Sequence, residues 1–281
     1  MEIEATTRLS TLGHPQRLAI FRLLMRRHPD RVPAGEIAQA LILKPSTLSA
    51  YLSALMQAGL IEQRRDGTSL RYGVAMDAVR ATFDYLFLDC CRGRPELCAP
   101  IPSSIHAGHL SMSDPRYNVL FLCTGNAARS IMAEAILRRV AGDRFAAFSA
   151  GTSPRPKIDA RARDLLARNG HDTADLRTKD VSAFQGPDAP RFEFVFTVCD
   201  RAANEECPAW AGQPISGHWG MPDPVKAEGT AAQKALAFQQ TYVALSRRIG
   251  SFAALPIATL DRVSLQRAVD DLARDGAGVA A

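Results

Sequence analysis

The sequence predicts a two-domain protein: a mainly α N-terminal domain carrying a β-hairpin, then an α/β domain of three layers around a parallel sheet. Three observations predict it. Apolar residues recur at helical spacing from His14 to Leu60 and then give way to two short β-like runs around Asp66 and Gly67. From Tyr117 the pattern becomes an apolar strand, a glycine-containing turn and a helix, the opening of a parallel unit. Between them residues 99–116, APIPSSIHAGHLSMSDPR, are rich in Pro, Ser, Gly and Ala without sustained periodicity. The expected organisation is therefore a domain over 1–98, a linker over 99–116 and a domain over 117–281. A flexible linker of that length spans on the order of 20–25 Å root-mean-square.

Composition supports this division. The 281 residues, 47% of them hydrophobic, suffice for two cores of ordinary size. The net charge of +5 is modest, and charge alone does not identify a nucleic-acid binder. No apolar run approaches the roughly 20 residues of a membrane span, and MEIEATTRLS lacks the basic-then-apolar pattern of a secretory signal. A cytoplasmic protein without a membrane partner is expected. In that compartment the six cysteines stay reduced, which favours metal binding or thiol catalysis over structural disulfides. They fall into two groups of three: Cys90, Cys91 and Cys98, then Cys123, Cys199 and Cys207.

Each N-terminal element follows from its pattern. Between His14 and Arg27, Leu18, Phe21 and Leu24, widened by Ile20, Leu23 and Met25, make the apolar stripe of a core helix. A shorter helix is expected from Glu36 to Leu41, and a polar turn at Lys44 and Pro45 precedes STLSAYLSALMQAGL. There Leu48, Leu52 and Leu55 form the buried face and leave Ser46, Thr47, Ser49, Ala50 and Ser53 outward. Small polar residues on the outer face of a second helix suit entry into a DNA major groove. The hairpin IEQRRDGTSLRYGV follows, its Asp66-Gly67 pair favoured in tight turns. Its Arg64, Arg65 and Arg71 are expected to reach phosphates, which fixes position on the duplex without reading sequence. A small structural bundle is the plain alternative for the helix pair, and the three arginines weigh against it.

The helix order, STLSAYL, AGLIEQRRDG and the terminal cysteine-bearing helix make residues 5–98 resemble winged helix-turn-helix repressors of the ArsR family. That resemblance implies a homodimer, formed through this domain, that binds operator DNA and responds to a metal or metalloid. Cys90 and Cys91 end MDAVRATFDYLFLDCC, and Cys98 follows a break at Gly93 and Pro95. Three soft thiolates suit trivalent arsenic, whereas zinc usually takes a fourth ligand. Arsenic-responsive members resembling this chain use such a late cysteine pair with a third close behind, so Cys90, Cys91 and Cys98 are the expected arsenite ligands. Arsenite is the expected inducer, shifting the dimer-forming helices and releasing DNA. A cysteine cluster at a dimer interface and incidental burial are the alternatives. His106 and His109, in the linker, are read as solvated.

In the second domain NVLFL is the first strand and RSIMAEAILRRV its helix. FAAFSAG, a helix near Ala160–Arg168, the strand FEFVFTVC and a helix from about Thr230 to Arg248 continue the alternation. The turn CTGNAARS places Arg129 six residues after Cys123 and runs straight into a helix N-terminus. Successive N–H groups in such a turn converge on one point and the helix dipole adds positive potential, a cradle for a tetrahedral anion. Thr124, Gly125, Asn126, Ala127, Ala128, Arg129 and Ser130 are the expected oxyanion-binding residues. Arg129 is expected to grip two oxygens, Ser130 to donate to the Cys123 sulfur, and the positive field to lower the Cys123 pKa, making it the nucleophile. A buried inert cysteine is the alternative.

That strand, loop and helix make residues 117–250 resemble the low-molecular-weight protein tyrosine phosphatase fold, and within it the arsenate reductases, whose loop typically reads CTGNSxRS. Ala127 stands at the usual serine. The resemblance assigns Asp223, before Pro224, as the acid that protonates the departing oxygen. A phosphatase needs only Cys123, Arg129 and Asp223. A reductase needs further thiols, and it implies that Cys199 attacks Cys123 and that Cys207 resolves the resulting disulfide. The Cys199–Cys207 disulfide then passes to thioredoxin. Here seven residues separate Cys199 from Cys207 where thioredoxin-coupled members commonly have six, so a cycle in which Cys207 is idle and a small thiol works with glutaredoxin or mycoredoxin stays open. Two unrelated buried cysteines are the plain alternative.

The leading expectation is thus an arsenite-responsive repressor fused to an arsenate reductase, with arsenate as substrate, an external thiol reductant and no tightly bound cofactor. A DNA-targeted tyrosine phosphatase and a non-catalytic oxyanion sensor are the competing readings.

Overall fold

A computed structural model of the chain describes residues 2–91, 116–186, 188–205, 210 and 212–275. It divides into two units, residues 1–103 and 104–281. Most of the expected linker, including His106 and His109, lies outside the described residues, as do Cys98 and Cys207.

The first unit runs α1 (Glu2–Leu12), α2 (Pro15–Arg27), β1 (Val32–Pro33), α3 (Ala34–Ala40), α4 (Pro45–Gln57), β2 (Ile61–Asp66), β3 (Ser69–Val74) and α5 (Met76–Asp84). Both long helices begin with proline, whose fixed φ and missing N–H suit a first helical position. In α2 the buried line is Ile20, Leu24 and Arg27, flanked by Phe21 and Leu23. Leu18 and Met25, expected in the core, are instead 40% and 36% exposed. At 3.6 residues per turn both fall beyond Phe21, on the side away from that line. Ile20, Leu23, Leu24, Ile37, Leu48, Leu52 and Leu55 form one core with Val32, Tyr72 and Val74 of the sheet. Each such fully buried aliphatic side chain stabilises by about 1.5–3 kcal/mol.

Strands β2 and β3 form the predicted antiparallel hairpin, with Arg64 opposite Arg71 and Asp66 opposite Ser69. Gly67 turns the chain at φ +58, a conformation glycine adopts without strain. Strand β1 adds to the other edge, giving the order β1-β3-β2. Helix α5 continues through Tyr85–Cys90 in a wider turn, in which Cys91 N–H reaches back to the Leu86 carbonyl at 2.9 Å. Helix α1 was not expected from the sequence.

The second unit is built on β4 (Tyr117–Cys123), β5 (Phe145–Gly151), β6 (Phe194–Thr197) and β7 (Ile215–His218), a sheet of order β5-β4-β6-β7 whose paired strands are all parallel. Its helices are α6 (Arg129–Ala141), α7 (Ala160–Arg168), α8 (Asp200–Asn204), α9 (Ala231–Ala253) and α10 (Arg262–Asp275). Side chains of β4 alternate between two cores. Val119, Phe121 and Cys123 face the larger, with residues of α6, α7, α9 and α10, and Trp219 stacks on Phe196 at 4.0 Å within it. Leu120 and Leu122 face the smaller, closed by Phe192 and the single turn Val181–Phe184. Such two-sided burial is why β4 reads as a continuous apolar run.

Sequence reading passed over β7 and α10. Strand β7 has four residues, Ser216 and Gly217 among them, and it exists through pairing Ile215 with Phe194 and His218 with Thr197. Because β4 pairs with β5 on one side and β6 on the other, the chain leaves it at a topological switch point, where open parallel sheets hold ligands. Cys123 is the last residue of that strand.

Candidate active site

The turn after β4 is held by its carbonyls. Those of Cys123, Thr124, Gly125 and Ala127 accept from the N–H groups of Thr152, Ser153, Arg155 and Asp159 at 3.1, 2.9, 2.9 and 2.9 Å. With the carbonyls turned to that segment, the turn's own N–H groups are left for the opposite side, and Asn126 N–H donates to Cys123 Sγ at 3.1 Å. Gly151 lines the approach. A Cβ there would stand 2.6 Å from the Thr124 carbonyl oxygen, so a side chain at this position forces strand and loop apart.

Asn126 is the pin of the loop. It is fully buried, takes φ +42, and spends its side chain on three bonds: to Ser130 Oγ and Ser149 Oγ, each at 2.9 Å, and from Lys179 N–H at 2.7 Å. Behind it, buried Glu134 accepts from Ser149 Oγ at 2.5 Å, Lys179 Nζ at 3.0 Å and Arg138 at 2.6 Å. Sequence reading named Asn126 as an anion contact and missed Ser149, Lys179 and Glu134. A lone carboxylate between Ala133 and Ala135 in an otherwise apolar helix face was the available signal for Glu134.

Cys123 Sγ lies 2.9 Å from Ser130 Oγ, as expected. The expected fall in its pKa is not found. Burial pushes the Cys123 thiol up and the neighbouring Cys199 adds to this, while Ser130 and Arg129 pull down and do not prevail.

Arg129 and Asp223 are brought together, and the guanidinium is already occupied. It donates to the Met221 carbonyl at 3.0 Å and pairs with Asp223 Oδ2 at 3.1 Å, while Asp223 Oδ1 caps the turn Pro224–Lys226 through Val225 N–H at 3.2 Å. A bidentate grip on an anion thus requires exchange of these partners. Cys199 is buried at the N-cap of α8, and its sulfur lies 3.5 Å from Thr124 Oγ1. Cys123, Arg129, Asp223 and Cys199 accordingly share one site; Cys207 lies outside the described residues.

The fold over residues 118–265 matches the family described as low molecular weight phosphotyrosine protein phosphatase, more than half of the 281 residues. The chain belongs to that family. It is 33% identical over 138 residues to an arsenate reductase of Oceanobacillus iheyensis, which covers 48% of this chain and 94% of the relative. It is 35% identical over 136 residues to one of Bacillus licheniformis, covering 48% and 94%. Residues 12–64 match a model described as a helix-turn-helix domain. A homodimeric winged helix-turn-helix DNA-binding domain from Mycobacterium bovis, a possible ArsR-family regulator, is 29% identical over 34% of this chain and 82% of that one, at a TM-score of 0.26.

In the helix-turn-helix unit, Ser46, Ser49 and Ala50 are exposed and Thr47 and Ser53 half-buried, opposite buried Leu48, Leu52 and Leu55. Arg64 and Arg65 are exposed on β2, whereas Arg71 is engaged by Asp66 at 2.9 Å and is less available to a phosphate than expected. Arg8 ties three elements: it donates to the carbonyls of Ala58, at the end of α4, and Ala78 of α5, and to Thr82 Oγ1, each at 3.2 Å. Cys90 is exposed and hydrogen-bonded to the Tyr85 side chain, and Cys91 is half-buried. No described helix is long and apolar enough to cross a membrane.

Proposed function

We propose that the second domain reduces arsenate to arsenite and that the first is a DNA-binding repressor which arsenite releases. The observation that carries the reductase reading is Cys199. A second buried thiol stands close enough to push up the Cys123 thiol, and its sulfur contacts the side chain of Thr124 in the anion loop. Hydrolysis of a phosphate ester has no use for it. The resemblance to curated arsenate reductases over 94% of their length supports the same choice of substrate.

The loop N–H groups and Arg129 hold the oxyanion, the guanidinium leaving Asp223 to do so. Cys123 attacks arsenic and hands its thiol proton to the Asp223 carboxylate that the guanidinium has left, and Asp223 passes that proton to the arsenate hydroxyl, which departs as water as the sulfur–arsenic bond forms. Cys199 then attacks the Cys123 sulfur. A disulfide forms, the sulfur–arsenic bond breaks, and its electron pair reduces As(V) to As(III), two thiols having been oxidised. The Cys199 proton ends on an arsenic-bound oxygen. A thiol reductant outside the chain resets the pair: thioredoxin where Cys207 resolves the disulfide, or a small thiol with glutaredoxin or mycoredoxin where it does not. These thiols require a reducing compartment, which the cytoplasm supplies.

For the first domain, the exposed face of α4 and Arg64 and Arg65 are read as the DNA contacts, and Cys90, Cys91 and Cys98 as arsenite ligands. Homodimerisation is part of the same reading. Arg8 gives a physical link between the cysteine-bearing helix and the end of α4.

The test is arsenite formation by the purified chain with arsenate and thioredoxin, beside aryl phosphate hydrolysis, for wild type and Cys199→Ser. Loss of arsenite formation by at least about 100-fold with hydrolysis retained is expected. Rapid hydrolysis without arsenate turnover, indifferent to the substitution, makes the chain a phosphatase. DNA binding that arsenite leaves unchanged refutes the sensor.

A further inference from the structure

His218 closes β7 with its side chain wholly buried and both ring nitrogens engaged. Nδ1 lies 2.8 Å from Thr197 Oγ1 and Nε2 lies 3.2 Å from Asp200 Oδ1. Thr197 stands two residues before Cys199 and Asp200 one residue after it, so a single imidazole grips the chain on both sides of the second thiol. An ionised carboxylate only accepts, which places a proton on Nε2 and lets Nδ1 accept from the Thr197 hydroxyl. The surrounding backbone supports the grip: Trp219 N–H donates to the Thr197 carbonyl and Val198 N–H to that of Leu122, each at 2.8 Å. Gly220 makes room for it, since a Cβ there would meet Asp200 Oδ1 at 2.5 Å and His218 Nε2 at 2.6 Å.

The helix that Cys199 starts is short and takes its place from its surroundings, with Ala202 and Ala203 buried. Helix α8 has five residues, and Cys199 makes no side-chain capping bond at its N-terminus. A single helical turn is unstable by itself, because nucleation fixes several residues for one bond. Yet the attack on Cys123 demands accuracy, with the incoming sulfur, the Cys123 sulfur and arsenic roughly in line, and a displacement of about 1 Å in such a step costs on the order of 100-fold.

We propose that His218, through Thr197 and Asp200, is a positioning residue for Cys199 in the reductive step, an inference that rests on the arsenate reductase reading. His218 gives up no proton or electron in this step. Cys199 and the Cys123–arsenic adduct exchange one sulfur–arsenic bond for one disulfide, arsenic takes the electron pair, and the Cys199 proton passes to an arsenic-bound oxygen.

The test uses the full chain as wild type, His218→Ala, His218→Gln and Asp200→Ala. One readout is single-turnover formation of the Cys123–Cys199 disulfide on mixing with arsenate without external reductant, followed by the loss of two titratable thiols. The other is alkylation of Cys123 by iodoacetamide and its protection by inorganic phosphate, read by peptide mass, which reports the anion loop alone. His218→Ala is expected to slow disulfide formation at least about 10-fold with phosphate protection within about twofold of wild type. His218→Gln, whose amide can still donate to Asp200, recovers part of the rate. Asp200→Ala, altering the exposed arm, repeats the split should His218→Ala not fold. Unchanged disulfide formation in His218→Ala and Asp200→Ala overturns the proposal, as does a parallel loss of phosphate protection in all three variants, which is the mark of a structural role. A wild-type chain that forms no disulfide with arsenate refutes the reductase reading itself and is distinguished by that control.

Discussion

Replacing Asn126 tests whether the anion loop is held from behind or merely lined. Asn126→Ala removes two donated bonds at 2.9 Å and one accepted at 2.7 Å, all at a fully buried position. Each is worth about 1 kcal/mol net, and the Lys179 N–H left without its acceptor makes about 3 kcal/mol in total a conservative figure. Alanine at φ +42 adds about 1 kcal/mol that asparagine largely avoids. The sum, about 4 kcal/mol, is below the 5–15 kcal/mol typical of whole domains, so the domain stays folded while the loop relaxes. If about 3 kcal/mol of the penalty is relieved by leaving the bound-ready arrangement, the competent fraction falls on the order of 100-fold. Arsenate-dependent kcat/KM and the phosphate concentration that protects Cys123 from alkylation should both worsen by that factor. Asn126→Gly, free to adopt the positive φ, should recover about 1 kcal/mol, or roughly fivefold, without restoring the bonds. Wild-type kcat/KM and phosphate protection in Asn126→Ala would refute the reasoning, and equal defects in the alanine and glycine variants would remove its backbone part.

Gly151→Ala should lower anion binding at least about 10-fold, because its Cβ at 2.6 Å from the Thr124 carbonyl oxygen must displace loop or strand; isothermal titration with phosphate reads this, and unchanged affinity contradicts the packing. Burial raises the Cys123 pKa above its unfolded value, so its contribution to stability is complete below the unfolded thiol pKa and is lost as pH rises through the folded one. Cys123→Ala should therefore lose less stability than wild type in denaturant melts between about pH 8 and 10, and identical profiles would show that the thiol is not held neutral. In the first domain, Arg64→Ala and Arg65→Ala should each reduce the salt dependence of DNA binding by about one counterion, weakening all sequences alike. A sequence-selective loss would instead make them base contacts.

The parts of this chain legible in its sequence are those set by local rules. A continuous apolar run announced β4, Leu48, Leu52 and Leu55 at helical spacing announced α4, and a short turn entering a helix announced the loop, because strand, turn and helix N-terminus are contiguous. Strand β7 escaped because four residues with a glycine become a strand only beside β6, and Leu18 and Met25 were miscast because a helical stripe has a width that only its neighbours fix. The network behind Asn126 escaped for a related reason. Ser149, Lys179 and Glu134 come from a strand, a loop and a helix, and no spacing in the chain foretells their meeting. The Cys123 pKa was misjudged in direction because loop chemistry is visible in sequence and the depth at which the loop is buried is not.

Arg129 and Asp223 show how binding and chemistry are joined in this site. The guanidinium, 11% exposed, is paired with the carboxylate, so this largely buried cation is compensated. An arriving oxyanion offers the same charge in a geometry that the loop N–H groups also satisfy, and it displaces the carboxylate. On the proposed reading the exchange frees Asp223 to pass a proton to the departing oxygen. Up to this point a phosphate ester and arsenate are treated alike, since both are tetrahedral anions attacked by Cys123. The two reactions separate only at what meets the covalent adduct. Water completes the hydrolysis of a phosphoenzyme, whereas an arsenic adduct that meets a thiol gives up its sulfur–arsenic bond and takes two electrons. Cys199 is 2% exposed and touches the loop through Thr124, and on the proposed reading it is the thiol that meets the adduct. Cys199 therefore acts twice on that reading: it adds to the effect of Cys123's own burial in pushing the Cys123 thiol up, and it takes the adduct toward reduction.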